Sequence, residues 1–397
     1  MLETRIAKEL AYISQAGLAR RITELYFVNP AQAQDRNGKT YLVLASNNYL
    51  GFTHAPEVIE AASRAALKFG TGSSGSRLTT GGTFIASELE KRLADFKHSE
   101  SALVFNTGYM TNLGILYGLL QTGDVVFSDE LNHASIIDGC RISRCKVVVY
   151  KHNDMADLQR LLETEIVTGQ RFIVTDGVFS MDGDIADLPS LAVLKKIFNA
   201  CLIVDDAHGV GVIGNDGSGT ASHYGLTDVI DLQVGTLSKA LAAEGGYVAG
   251  KKILIDYLIN RSRPFIFSTA LAPATLAAAN AALLLLQTQA QKYLDSLRAN
   301  SRLMRRLLLE GGLNVVEGIT PIIPVVIGEA GLTMQFADRL KSKGILVSGI
   351  RPPTVPRGES RLRITVTAAH CEEQLRQAAQ IITALWQELK QGEKKEG

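Results

Sequence analysis

The residues of this chain best suited to covalent chemistry lie at the ends of two apolar runs. One run, residues 231–234, is followed by a Gly/Thr/Ser turn and then by Lys239, which presents a single amine. The other run ends in Asp205, Asp206 and His208. Taken singly, such a lysine is usually a solvated surface charge, and such acids are usually helix caps or solvated groups. Together they form a set suited to carbonyl chemistry, in which an amine attacks a carbonyl carbon and neighbouring groups hold protons.

This combination matches the needs of pyridoxal phosphate (PLP), which binds to a lysine as a Schiff base and requires an acid beside its pyridine nitrogen. A phosphate could bind at Asn106-Thr-Gly-Tyr109, between an apolar run and a predicted helix, where helix amides face outward. His133 follows another apolar run and could stack on a flat ring or simply cap a helix. The Gly-rich segments 69–77 and 79–82 match neither a P-loop nor a dinucleotide fingerprint, and alone they indicate ordinary turns.

The elements that must position these residues follow a regular alternation of short apolar runs and helical spacing. This alternation predicts an α/β fold with a mostly parallel sheet sandwiched by helices. After Pro273 the regular alternation of apolar runs and helical segments ends, and we expect a smaller α+β domain at the C-terminal end. We predict three parts. Residues 1–50 form an N-terminal helix and strand segment, residues 51–285 form a large PLP-binding domain, and residues 286–397 form the small C-terminal α+β domain. Apolar spacing over residues 3–27 predicts one helix. The predicted strands are 39–45, 102–105, 125–128, 147–150, 172–175, 202–204, 231–234, 322–327 and 361–367.

Composition excludes several classes of function. The 397 residues carry a net charge of +1, so the protein has no strong positive electrostatic field that would attract nucleic acid or an anionic membrane. The four cysteines show no metal-ligand spacing, and their pattern suits a reduced compartment. The most apolar window, residues 276–286, is too short to span a bilayer, and the charged first residues lack a signal-peptide core. We therefore expect a cytoplasmic protein with no metal, no nucleic acid and no membrane among its partners.

Six ordered segments, spread over nearly the whole chain, resemble the α-oxoamine synthases. The resemblance implies the aspartate-aminotransferase-like PLP fold (fold type I) and an enzyme that joins an amino acid to an acyl thioester with loss of CO2. The segments are Ser46-Asn-Asn-Tyr-Leu-Gly51, Asn106-Thr-Gly-Tyr109, Asn132-His-Ala-Ser135, Thr175-Asp-Gly-Val-Phe-Ser-Met-Asp-Gly183, Val204-Asp-Asp-Ala-His-Gly209 and Gly235-Thr-Leu-Ser-Lys239.

Two further segments indicate a branch within that family. Ile350–Pro356 and Arg361–His370 resemble the members that act in biotin biosynthesis, where L-alanine condenses with a pimeloyl thioester. The alternatives are glycine C-acetyltransferase, another PLP reaction such as aminotransfer or serine palmitoylation, and a scaffold that has lost its chemistry. Whether the acyl group arrives as pimeloyl-CoA or as pimeloyl-acyl carrier protein stays open.

The resemblance also implies roles for individual residues around PLP. Lys239 should bind the cofactor covalently and transfer the substrate proton. Asp205, rather than Asp206, should pair with the pyridine nitrogen, because the matching acid of the family lies three residues before the histidine. His133 should stack on the ring, while His208 and Ser180 should bond the phenolic oxygen.

Further residues should bind the phosphate and the substrates. Gly108, Tyr109 and Thr236 should contact the cofactor or its phosphate, and Ser268 and Thr269 should reach the phosphate of a neighbouring subunit, since members of the family share sites across a homodimer. Arg363, helped by Asn47, should bind the substrate carboxylate. Arg20 and Thr354 match positions that line the acyl path, although Arg21 adjoins Arg20 and the alignment there is loose.

Overall fold

The chain folds around a seven-stranded sheet in the computed structural model, which describes the backbone of residues 1–15, 18–20 and 22–396 and the side chains of this set up to residue 391. The strands of this sheet are β4 (Ser101–Phe105), β5 (Val125–Asp129), β6 (Lys146–Tyr150), β7 (Arg171–Asp176), β8 (Ala200–Asp205), β9 (Leu232–Thr236) and β10 (Gly246–Gly250). Their spatial order is β4-β10-β9-β8-β7-β5-β6. Strands β5 to β9 pair in parallel, whereas β10 runs antiparallel to both of its neighbours. The predicted α/β fold is therefore confirmed.

Helices cover both faces of this sheet, because alternate residues of each strand point to opposite sides. One face packs on α4, α5 and α9, and the other packs on α2, α3, α6, α7 and the first part of α11. These helices are α2 (Pro56–Phe69), α3 (Phe84–Phe96), α4 (Gly108–Leu119), α5 (Ala134–Ile142), α6 (Met155–Thr164), α7 (Leu188–Phe198), α9 (Lys252–Arg261) and α11 (Pro273–Glu310). The short segments η1 (Phe52–His54), α8 (Thr220–His223) and α10 (Arg263–Ile266) complete the large unit.

The C-terminal unit is a three-stranded antiparallel sheet packed against helices. Its elements are β11 (Ile322–Gly328), α12 (Ala330–Ser342), β12 (Ile345–Leu346), β13 (Ser348–Ile350), β14 (Ser360–Thr365) and α13 (Glu372–Glu396). The sheet has the order β11-β14-β13, and its core includes Met304 and Leu308 from the second part of α11. Helix α11 has a non-helical residue, Gln289, between its two parts. This is the smaller α+β unit expected from the sequence, while the boundaries at residues 50 and 285 stay a prediction.

The N-terminal segment joins the two units instead of forming one long helix. Helix α1 (Leu2–Gln15) is followed by the strands β1 (Tyr26–Asn29), β2 (Gln32–Gln34) and β3 (Thr40–Val43). The helix predicted over residues 3–27 is therefore wrong: α1 ends at Gln15 and a strand begins at Tyr26. Residues 16, 17 and 21 lie outside the described residues. Strand β3 pairs in parallel with β12, so the segment is tied to the C-terminal unit.

Among the residues that the structure describes, no helix is both long enough and apolar enough to cross a membrane.

Candidate active site

A cavity of about 220 Å³ opens at the carboxyl ends of the parallel strands. Strand β7 ends there with Asp176, β8 with Asp205 and β9 with Thr236, and Lys239 follows three residues later. Ligands of α/β proteins bind at this edge of the sheet, because loops and helix N-termini converge there. The cavity thus brings together the lysine, the acid and the histidines that the sequence singled out.

Asp205 is fixed by two hydrogen bonds at the floor of the cavity. Its Oδ2 accepts from Asn112 Nδ2 at 2.6 Å, and its Oδ1 accepts from the backbone N–H of Ala207 at 3.0 Å. Asn112 projects from the second turn of α4 and also donates to Ser135 Oγ at 2.9 Å. Donors on both oxygens fix the orientation of this carboxylate. Asp205 can therefore hold a positively charged group in the cavity.

Asp206 lies outside the cavity and is fully engaged elsewhere. Its carboxylate accepts from Thr220 N and Thr220 Oγ1, both at 2.9 Å, and pairs with the buried Lys97 amine at 3.2 Å. Gly177, Gly209 and Gly219 surround it so closely that a Cβ on any of them would collide with a carboxylate oxygen. Adjacent acids on one strand thus serve opposite faces of the sheet.

Asp176 is a cavity residue to which the sequence assigned no role. It lies beside Asp205 in the strand register, and its Oδ2 accepts from the backbone N–H of His133 at 2.9 Å. Burial, and then the charge of Asp205, raise the pKa of Asp176 well above its usual value. The sequence does mark Asp176, because it directly follows the predicted strand 172–175 and lies in the segment Thr175–Gly183.

Lys239 directs its amine at His208. The distance from Lys239 Nζ to His208 Nε2 is 2.8 Å. Burial lowers the pKa of Lys239 to about 8, and Arg363 acts in the same direction, whereas Asp205 and Asp176 oppose the shift. A lysine whose pKa lies this low keeps a substantial neutral fraction near neutral pH, which nucleophilic attack and proton acceptance both need.

The N-terminus of α4 and the end of β9 form an anion site on the cavity wall. Thr107 caps α4 by accepting from Met110 N at 3.0 Å, so the amide groups of the first turn face the cavity. A Cβ on Gly108 would lie in van der Waals contact with Thr236, 3.4 Å from its Cβ and Oγ1, so the first turn of α4 packs directly beside the end of β9. Thr236 Oγ1 and Ser238 Oγ lie 2.7 Å apart. Amides and hydroxyls arranged in this way suit a phosphate.

His133 and Tyr109 form the rim of the cavity. His133 is the N-cap of α5, and its Nδ1 lies 2.7 Å from Ser135 Oγ. The Tyr109 ring lies edge-on to the His133 ring, with 6.5 Å between centroids, and its hydroxyl donates to Asp138. Both alternatives considered for His133 are thus compatible, because its side chain caps the helix and its ring borders the cavity.

Arg363 enters from the C-terminal unit and is almost completely buried. On β14 its Nε donates to the Ser180 carbonyl at 2.5 Å, Nη1 to Thr365 Oγ1 at 3.0 Å and Nη2 to Asn47 Oδ1 at 3.1 Å. No carboxylate pairs with this guanidinium among the described residues. Arg361, by contrast, forms ion pairs with Asp182 and Glu359. Both arginines are buried, so neither is a solvated surface charge.

Six predicted residues do not line this cavity in the single chain. Two of them, Asn47 and Arg363, bond each other, and Arg363 reaches the cavity lining through the Ser180 carbonyl. Ser268 and Thr269 do not line it, although the Thr269 carbonyl accepts from Asn106 Nδ2 at 2.7 Å. Arg20 and Thr354 are exposed beside a separate groove of about 1330 Å³ that Ala19 and Arg351 help to line. Arg21 lies outside the described residues. The roles of these residues stay predictions.

The cavity residues fit PLP. An amine with a lowered pKa, a fixed carboxylate on the floor, a helix N-terminus suited to phosphate and an imidazole on the rim match the separate groups of that cofactor. No cluster of three or more metal-ligating side chains occurs in the described part of the chain.

Comparison with known proteins agrees with this geometry. Residues 39–382 match the family described as aminotransferase class I and II. A relative from Lysinibacillus sphaericus named 8-amino-7-oxononanoate synthase is 47% identical over 94% of this chain and 96% of its own length. A solved structure of SPT (serine palmitoyltransferase) with PLP as internal aldimine superposes with a TM-score of 0.92, at 31% identity and 97% coverage of both chains. The solved 8-amino-7-oxononanoate synthase from Francisella tularensis gives a TM-score of 0.75, at 30% identity, over 87% of this chain and 97% of that one.

Proposed function

Because this chain belongs to the aminotransferase class I and II family, and within it to the 8-amino-7-oxononanoate synthases, we propose that it condenses L-alanine with a pimeloyl thioester. The products are 8-amino-7-oxononanoate, CO2 and the free thiol, on the route to biotin. The family is PLP-dependent and acts on an amino acid and an acyl thioester, which confirms the resemblance to α-oxoamine synthases. The observation that carries the proposal is the buried Arg363 guanidinium, held beside the Lys239 amine without a carboxylate of its own.

The choice among related reactions rests on sequence similarity. The chain is 47% identical to the Lysinibacillus synthase but 31% identical to the palmitoyltransferase that superposes on it so well. Backbone agreement reports the shared fold, which hosts several reactions. The higher identity over nearly the full length therefore favours alanine and a pimeloyl group over serine and palmitoyl-CoA.

Five parts of the cavity would hold the cofactor. Lys239 would bind it covalently, Asp205 would keep its pyridine nitrogen protonated, and His133 would pack on the ring face. His208 and Ser180 would bond the phenolic oxygen. The first turn of α4, with Gly108, Tyr109 and Thr236, would hold the phosphate. When bound, PLP supplies an electron sink that stabilises negative charge at the substrate Cα.

The remaining residues would bind and orient L-alanine. Arg363 offers a planar fork that matches a carboxylate, and Asn47 fixes the orientation of that fork. Lys239 would accept the proton from Cα and later return one, as its low pKa allows. The carboxylate would then have to leave Arg363 as CO2. Arg363 must therefore orient the carboxylate without binding it too tightly.

We also propose that the protein acts as a homodimer in the cytoplasm. The segment that contains Ser268 and Thr269 includes the exposed Phe267, which is 69% accessible, and the exposed Phe84 is 77% accessible. Exposed aromatic side chains of this size are typical of interfaces. The four cysteines are unpaired, which agrees with a reducing compartment. Analytical ultracentrifugation at several protein concentrations tests the dimer.

The experiment that tests the function is a product assay on the purified, PLP-loaded protein. L-alanine is supplied with pimeloyl-CoA or with pimeloyl-acyl carrier protein, and 8-amino-7-oxononanoate is measured by mass spectrometry. We expect product with at least one carrier, and the faster carrier identifies the acyl donor.

Two parallel assays test the alternatives. Glycine with acetyl-CoA measures glycine C-acetyltransferase activity, and serine with palmitoyl-CoA measures serine palmitoylation. If either pair turns over faster than alanine with both pimeloyl carriers, the proposed substrate pair is wrong. If no pair turns over while the protein still binds PLP, the proposal that the chain is an active synthase fails.

A further inference from the structure

Tyr49 extends the hydrogen bonding of the active site away from the cavity. This residue follows β3 in the N-terminal segment and its side chain is fully buried. Its hydroxyl oxygen lies 2.7 Å from His208 Nδ1, on the side of the imidazole opposite to Lys239. The other ring nitrogen, Nε2, lies 2.8 Å from Lys239 Nζ. One imidazole thus connects a buried phenol to the proposed nucleophile.

The surroundings of His208 favour the neutral imidazole. Burial, and then the neighbouring cations Lys239 and Arg363, lower the pKa of His208 well below its ordinary value. A neutral imidazole carries one N–H and one lone pair. Either Nδ1 carries the hydrogen and Nε2 accepts from the lysine, or Nε2 carries the hydrogen and donates to the lysine.

The surroundings of Tyr49 decide between these two tautomers. Its hydroxyl has two acceptors within reach, His208 Nδ1 at 2.7 Å and Asn47 Oδ1 at 3.3 Å. Asn47 Oδ1 already accepts from Arg363 Nη2 at 3.1 Å. The Arg363 guanidinium also lies beside the phenol oxygen, where its charge attracts the oxygen lone pairs. The hydroxyl hydrogen is therefore directed away from the arginine and towards His208 Nδ1.

We propose that Tyr49 is a positioning residue: its hydroxyl donates to His208 Nδ1, so that His208 carries its hydrogen on Nε2 and donates to the Lys239 amine. An amine can accept this hydrogen bond only when it is unprotonated. An ammonium group would bring two N–H donors face to face at 2.8 Å. The contact therefore favours neutral Lys239, which is the form that attacks a carbonyl or takes a proton.

Other charged groups around Lys239 act at the same time. Asp205 and Asp176 favour the ammonium form, whereas burial and Arg363 oppose it. His133 also faces this group of charges, from the start of α5. Tyr49 adds to the effect of burial through His208. Its removal should release His208 to the other tautomer and raise the pKa of Lys239.

The test uses apoprotein and needs neither cofactor nor substrate. Lys239 is labelled with an amine-specific acylating reagent at a series of pH values, and the labelled peptide is quantified by mass spectrometry. We expect Tyr49→Phe to raise the pKa of Lys239 by about one unit, so that labelling at pH 7 slows roughly tenfold. Tyr41→Phe is the matched control, since it removes a tyrosine hydroxyl that bonds Asp35 in the N-terminal sheet, and it should leave the profile unchanged.

An unchanged or lowered pKa of Lys239 in Tyr49→Phe overturns the proposal. If that variant does not fold, 3-fluorotyrosine is introduced at position 49 instead. Fluorine makes the phenol a stronger donor with almost no change in shape, so the pKa of Lys239 should then fall, and an upward shift contradicts the proposal.

The inference rests on the role proposed for Lys239, but the two can fail separately. Suppose that the wild-type protein condenses alanine with a pimeloyl thioester but Tyr49→Phe leaves the labelling profile of Lys239 unchanged. The proposed function then stands, and the proposed role of Tyr49 is wrong. In an active enzyme, Tyr49→Phe should also move the acid limb of the kcat profile to higher pH.

Discussion

The proposed function makes the Lys239 amine both nucleophile and base, and the neighbours of this amine set its reactivity. Its pKa of about 8 arises mainly from burial, so the group is prepared before any ligand binds. We predict that Lys239→Ala folds normally but shows no visible absorbance from a lysine-bound PLP and no turnover. Circular dichroism and an absorbance spectrum after PLP addition check this. Wild-type absorbance in the variant would show that a different amine binds the cofactor.

The two adjacent acids should give different phenotypes when each is changed to the amide. Asp205→Asn should weaken PLP binding at least about tenfold, because the pyridine nitrogen loses its counter-ion. Asp206→Asn should instead lower the free energy of unfolding by about 3 kcal/mol, because it leaves the buried Lys97 amine without a charge partner. PLP titration and urea unfolding of both variants separate these effects. Equal losses of PLP affinity would mean that the wrong acid was chosen.

The carboxylate anchor is tested by a change that keeps the charge. Arg363→Lys should raise the KM for L-alanine roughly tenfold, a loss of about 1.4 kcal/mol, because lysine has no bidentate fork. The KM for the acyl thioester should barely change. Arg361→Lys is the matched control on the same strand, and its ion pairs with Asp182 and Glu359 predict a smaller effect on alanine. The opposite ranking in steady-state kinetics would assign the anchor to Arg361.

At the scale of elements, the N-terminus of α4 should control cofactor affinity. We predict that Gly108→Val weakens PLP binding by about tenfold or more, because the branched side chain pushes Thr236 away from the phosphate site. Gly118→Val on the same helix is the control. A Cβ there would lie 3.3 Å from Leu258 Cδ2, outside the cavity, so this variant should lose stability while PLP affinity persists. Similar PLP affinities for both variants would argue against a phosphate at this helix.

The sequence predicted the parallel strands well because their apolar runs are short, continuous and followed by polar turns. It failed where tertiary contacts decide the structure. Residues 3–27 have helical spacing, yet the chain turns into β1 because β3 can pair with β12. Strand β10 was missed because Gly246-Tyr-Val-Ala-Gly250 begins and ends with glycine, a residue unusual in strands.

The same limit applies to the site. Lys239, Asp205, His133, His208 and Arg363 could be selected because they end or occupy recognisable strands and motifs. Asn112 carries no such mark. Asp176 and Tyr49 lie within recognised motifs, but their roles depend on which side chains lie beside them in the folded chain. Asn112, for example, sits inside a helix and contacts Asp205 across the cavity floor. Only the packing of α4 across the sheet brings this pair together.

At the scale of the whole molecule, His370 links the C-terminal unit to the N-terminal segment. Its Nδ1 accepts from Thr367 N at 3.0 Å and its Nε2 donates to the Val43 carbonyl at 3.1 Å. Burial lowers the pKa of His370 to about 4, from 6.5 in an unfolded chain. The unfolded state therefore binds more protons between these values, so the stability is present above pH 6.5 and is lost as the pH falls towards 4.

We predict that this residue contributes about 3 kcal/mol to the loss of stability over that range. Urea unfolding of wild type and His370→Gln at several pH values measures it. The variant should be less stable at pH 7 but should show a weaker pH dependence between 6.5 and 4. Parallel pH profiles for the two proteins would contradict the assignment to His370.

The position of β10 between β4 and β9 has a consequence for synthesis on the ribosome. Strands β5 to β9 can pair as residues 125–236 emerge. The edge of β4 stays unpaired until residues 246–250, which form β10, have been synthesised. Strand β3 waits longer still, until β12 has been made. During translation the nascent chain therefore exposes unpaired strand edges, which are sites of aggregation. We expect the first hundred residues to depend on chaperones until the final third of the chain has left the exit tunnel.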